Sequence, residues 1–251
     1  MVQSTVRNPL AEPGLLGITA GAGLGAALVV TTLGGGRALM VGCAVACGLA
    51  TFALTALLAR RGGLHPERFV LVGIGMGYGL AALTTFVLLR ANPFDTPALL
   101  VWLSGSTYGR TVADVLPVLA ALVLLTPALL AMHRELDLLA LDEDTPRVLG
   151  VRLERVRTGV LALAAVLAAL SVVAAGVVGF VGLVAPHLAR ALVGARHLRA
   201  VPVAMLLGGA PVGLADVLGR TLIAPAQVPA GLLVALLGAP YFVWLLWRSR
   251  A

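Results

Sequence analysis

The chain contains no lysine, only two cysteines, and no polar stretch long enough to build a soluble domain. Without lysine the phosphate loop G-x-x-x-x-G-K-[ST] cannot be completed, so any ATP that drives this protein must be bound by another chain. Cys43 and Cys47 lie four apart within one apolar stretch. That spacing puts them on one helical face as small packing residues and excludes a loop-stapling disulfide framework. His65, His133, His187 and His197 all fall near the ends of apolar runs, with no H-E-x-x-H motif and no Cys/His cluster. Neither a metal site nor a cofactor is therefore expected. Residues 1–14 are polar and carry prolines where a secretory signal needs an apolar core, so membrane insertion is expected to rely on later segments.

Apolar residues instead make up 60% of the chain, charged residues 12%, and mean hydropathy is +1.02. Soluble domains hold roughly 45–50% apolar residues. Eight apolar stretches, near residues 15–33, 38–59, 69–90, 112–132, 156–176, 178–193, 201–219 and 230–247, account for the excess. About 20 residues at roughly 1.5 Å rise each cover about 30 Å, the hydrocarbon thickness of a bilayer. Lipid offers no partner for free backbone groups, and the alternation of a barrel strand is missing, so the spans are predicted to be helices. The fold class is all-α, a polytopic membrane protein forming one transmembrane domain over 1–251, with small-residue runs such as Gly21 to Gly25 and Gly73 to Gly77 for close helix approach.

All 18 basic residues are arginine, scattered between the apolar runs, so no basic face forms for nucleic acid. With the N-terminus placed inside, fourteen arginines lie on the inner side, and only Arg37, Arg90, Arg110 and Arg220 lie outside. This positive-inside bias puts both termini in the cytoplasm.

Two segments depart from plain spanning helix. Between Gly176 and Arg190, Gly179, Gly182 and Pro186 interrupt a short apolar run and predict a broken or re-entrant helix buried in the bundle. Residues 133–157 form the most charged stretch and are predicted to lie on the inner face. There Leu136, Leu138, Leu139 and Leu141 make an apolar patch, and Pro146 with Gly150 bounds a second short helix, so the pair makes a docking surface. Ser104-Gly105-Ser106 is a weak hook for an intramembrane protease, lacking a histidine in an outer-leaflet span to activate it. Asp216 is the one ionisable candidate for ion-coupled transport, and its spacing from Arg220 equally suits a structural ion pair.

Several stretches resemble the permease subunits of ATP-binding-cassette importers for iron-siderophore complexes, haem and cobalamin. They are Asn8-Pro9-Leu10-Ala11-Glu12-Pro13-Gly14-Leu15-Leu16-Gly17, Trp102-Leu103-Ser104-Gly105-Ser106, the segment from Leu138 to Val151, Gly179 to Arg190, Ala215 to Arg220, and Leu237 to Phe242. The resemblance runs in order over essentially the whole chain. It implies a homodimer in the lipid of a bacterial inner or plasma membrane, with the transport path between subunits. Each subunit would dock a cytoplasmic ABC ATPase, and an extracytoplasmic binding protein would deliver substrate. It assigns ATPase coupling to Asp137, Leu138, Leu141, Asp142, Arg147, Leu149 and Gly150. Binding-protein docking falls to Arg220, oriented by Asp216. The spans near 69–90 and 230–247 become candidates for the path lining. Ten spans are usual in the family, so this chain would open in the end of the second, with its start upstream of Met1. In the coupling segment, Asp142 and Pro146 stand where glycine and alanine are usual, which implies altered docking detail with coupling preserved. A non-transporting scaffold or remnant is the alternative, and an ion-driven transporter a third.

Overall fold

A computed structural model describes residues 1–8, 11–59, 66–92, 94, 96–140, 153–223 and 226–248. Within them the chain is helical, with α1 at Val2–Val6, α2 at Ile18–Leu28, α3 at Arg37–Ala59, α4 at Pro66–Leu89, α5 at Thr96–Leu103 and α6 at Val112–Ala131. There follow α7 at His133–Leu139, α8 at Leu153–Ala175, α9 at Val181–Val193, α10 at His197–Thr221 and α11 at Ala230–Arg248.

Among the described residues, five helices are long and apolar enough to cross a membrane: Ala38–Ala59, Glu67–Leu89, Val112–Ala131, Leu153–Ala175 and His197–Thr221. The predicted stretches near 15–33 and 178–193 form shorter apolar helices, Ile18–Leu33 and Val181–Val193, while the one near 230–247 matches α11. Local chemistry accounts for the shortening. Gly17, at φ 76°, delays the start of α2 to Ile18. At its far end α2 widens into a π turn over Val29–Leu33. There Thr31 and Thr32 donate their hydroxyls back to the carbonyls of Ala27 and Leu28, which loosens the backbone ladder.

The core is built around α2, which packs on α3, α4 and α8, while α8 also meets α3 and α6. Leu16, Ile18, Phe52, Phe69 and Leu161 fill one end of it, and Ala22, Ala26, Ala44, Trp102, Ala169 and Val172 the other. Approach of α2 to α3 is close enough that a Cβ built on Gly25 would lie 2.5 Å from the Cys43 carbonyl. The cysteines therefore act as small packing residues along the glycine seam, both thiols being free. The helices α9, α10 and α11 pack together as a second layer through Ala215, Ala230, Val234 and their neighbours. Large apolar side chains, among them Leu57, Leu71, Tyr78 and Leu124, face outward.

The predicted interruption between Gly176 and Arg190 is narrower than the sequence implies. Residues 176–180 are non-helical, whereas Gly182 and Pro186 lie inside α9. Two left-handed residues make the break, Gly176 at φ 72° and Phe180 at φ 66°. At Gly176 the requirement for glycine is strict, since a Cβ there would fall 1.9 Å from the Trp102 carbonyl. Nearby, Gly231 N–H donates to the Gly105 carbonyl at 2.8 Å, so the end of α5, the break and the start of α11 share one joint.

Candidate functional site

Two polar groupings sit at opposite ends of α10, whose 25 residues span about 37 Å at roughly 1.5 Å per residue. The first lies in its last turns. Arg220 Nε donates to Asp216 Oδ2 at 2.9 Å, an i,i+4 pair on one face of the helix. Thr107, in the loop after α5, donates its hydroxyl to Asp216 Oδ1. The Thr107 carbonyl and hydroxyl in turn lie 3.4 Å from Arg220 Nη2. Both oxygens of Asp216 are thus engaged, one by each partner. The guanidinium keeps 43% of its side-chain surface open and offers remaining donors outward. The i,i+4 spacing made the pair legible in the sequence, whereas Thr107 lies 109 residues from Asp216 and gave no signal.

The second grouping lies at the start of α10. Asp137, on α7, accepts from the His197 backbone N–H at 2.9 Å and meets its ring Nδ1 at 2.5 Å. The other ring nitrogen, Nε2, lies 2.7 Å from Ser4 Oγ on α1. His197 is 5% exposed. Of the coupling residues expected from sequence, Asp137 is held in this chain and Leu138 is half-buried. Leu141, Asp142, Arg147, Leu149 and Gly150 lie outside the described residues. The expected apolar patch turns inward in part. Leu136 and Leu139 are fully buried, Leu136 packing with Leu129 and Val160, because α7 must cover the ends of α6 and α8.

Close by, Gln3 Oε1 accepts from Arg190 Nη2 at 2.7 Å, tying α1 to α9. Glu12, in the turn before α2, lies against Gly182 of α9. Burial pushes its carboxyl up to about 7. In the second layer a cavity of about 170 Å³ is bounded by Phe180, Val184, Leu207, Pro211, Leu237 and Tyr241 among others. Of the two candidate lining spans, α11 contributes to this cavity and α4 does not. Ser104 of the protease-like hook donates its hydroxyl to the Leu100 carbonyl at 2.8 Å, closing the last turn of α5.

The FecCD transport family matches residues 1–248. The iron-uptake system permease protein FeuC of Bacillus subtilis (strain 168) is 36% identical over 260 residues, covering 100% of this chain and 77% of that protein. The hemin transport system permease protein HmuU of Yersinia pestis is 38% identical over 257 residues, covering 100% of this chain and 76% of that protein. A solved structure described as an inward-facing conformation of a metal-chelate type ABC transporter aligns with a TM-score of 0.89 at 32% identity. That alignment covers 98% of this chain and 79% of the other.

Proposed function

This chain belongs to the FecCD transport family, and from that premise we propose that it carries an iron-siderophore, haem or cobalamin-type chelate into the cytoplasm. It is a multi-pass permease subunit of an ABC importer and performs no hydrolysis itself, since the ATPase of such systems is a separate chain. The family works with that ATPase and with a substrate-binding protein. The observation that carries the substrate class is the chain-long likeness to permeases named for iron uptake and hemin transport.

The remaining assignments follow the residues. Arg220, exposed and oriented by Asp216, is the outward docking arginine for a carboxylate of the binding protein. Asp137 and Leu138 begin the ATPase-coupling segment, which continues through Leu141, Asp142, Arg147, Leu149 and Gly150. Two copies pair across the substrate path, and lipid covers the outward leucines. An apolar path of small residues suits a cargo that must leave as readily as it enters, because strong contacts would hold it.

The test is reconstitution with the ATPase and binding protein in proteoliposomes, presenting radio-iron hydroxamate, ferric citrate, cobalamin and haem in turn. ATP-dependent accumulation of at least one supports the substrate class; active ATP hydrolysis with no accumulation of any would overturn it. Within this system Arg220→Glu should raise the binding-protein concentration needed for half-maximal uptake by on the order of ten-fold or more, with the maximal rate preserved. An unchanged requirement would remove the docking role.

A further inference from the structure

We propose that Asp137, His197 and Ser4 form a positioning latch that couples the ATPase-facing helix α7 to α10, making α10 the element that carries binding-protein engagement across the membrane. The inference rests on the permease reading above and adds a path for its coupling.

The geometry at His197 carries it. His197 is the first residue of α10, and Arg196 before it makes no side-chain cap. One of the backbone donors left open at this helix start is satisfied from outside, by Asp137 Oδ1 of α7. The same carboxylate oxygen takes the ring Nδ1. An ionised carboxylate only accepts, so Nδ1 carries the proton, and Nε2 accepts from the Ser4 hydroxyl. A negative charge at the positive end of a 25-residue helix adds a favourable helix-dipole interaction. With the ring buried, α7 cannot shift without either drawing the start of α10 with it or leaving buried polar groups unpaired.

The other end of α10 supplies the second half. Asp216 and Arg220 sit in its last turns, on the exposed rim with Thr107. Pro202 and Pro211 fall within α10 without ending it, so the helix is continuous between the two groupings. Force applied at the Arg220 end therefore reaches His197 through one helix and α7 through two short hydrogen bonds.

Ser4, His197 and Asp137 also reproduce the order of a hydrolase triad, which gives the test a second edge. The assembled importer, with ATPase and binding protein in proteoliposomes, is assayed for stimulation of ATP hydrolysis by substrate-loaded binding protein. His197→Ala should cut that stimulation at least about five-fold while unstimulated hydrolysis and complex yield persist. His197→Asn, whose amide N–H stands where Nδ1–H stood, should restore most of the stimulation. Stimulation retained in His197→Ala, or no rescue by His197→Asn, would overturn the latch. Labelling of Ser4 by a fluorophosphonate probe would overturn it in favour of a nucleophilic site. A wild-type importer that hydrolyses ATP but moves no chelate would instead sink the permease reading on which the latch rests.

Discussion

At the scale of single residues, burial and partnership decide which charges this chain tolerates. Asp216 and Arg220 hold each other at the rim, where solvent screens them, and their value lies in orientation more than in stability. Glu12 has a different balance, because burial pushes its carboxyl from 4.5 to about 7. A carboxyl whose folded pKa is raised binds its proton more tightly in the folded state. Its contribution is fully present below about pH 4.5 and is lost as pH rises through about 7. The purified protein should therefore melt several degrees lower at pH 8 than at pH 5, and Glu12→Gln should flatten that dependence by removing the titration. A thermal shift series across pH for both proteins checks it, and parallel curves would mean that Glu12 is ionised in the fold. Arg220 and Asp216 are a pair already visible in the sequence, because one helix turn separates them. The pairing of His197 with Ser4 has no such signal, because the two lie 193 residues apart and no local pattern marks a contact at that distance.

Elements are limited by how closely backbones approach. Small-residue runs were legible as packing seams, and the α2 to α3 contact bears this out at Gly25. Glycines that look alike in the sequence are not equivalent, however. Gly176 is left-handed and pressed against the Trp102 carbonyl, whereas Gly75 on α4 has open space around it. Gly176→Ala should lower the melting temperature by several degrees, since overpacking costs on the order of 1–3 kcal/mol and the backbone conformation adds strain. Gly75→Ala should be neutral or slightly stabilising, because alanine is the better helix former. Equal effects of the two substitutions on melting would remove the joint at Gly176 from the account. The same joint explains why the predicted stretch 178–193 became a short helix. Periodicity reported an apolar run there, but a pair of left-handed residues set where the helix begins.

For the whole molecule, the arginine distribution and the two ends of α10 make a single claim about orientation. The rim carrying Thr107 and Arg220 should face outward, and the end carrying Asp137, Arg196 and Arg199 should face the cytoplasm. In a variant with Cys43 and Cys47 replaced by alanine, Tyr108→Cys should react with a membrane-impermeant maleimide on intact cells, and Arg199→Cys only after permeabilisation. Both side chains are exposed, so reversed labelling would invert the topology. Composition alone determined that this chain is helical and membrane-embedded, because 60% apolar content in bilayer-length runs leaves no other way to satisfy the backbone. Arginine placement likewise predicts an orientation, and ordered motifs pointed to the family, since both are written along the chain. Tertiary structure decided the lengths of the two short helices at Ile18–Leu33 and Val181–Val193, the inward turn of Leu136 and Leu139, and the joining of Ser4, Asp137 and His197. Those features depend on contacts between residues distant in sequence, where the burial of one helix sets which groups of another must find a partner.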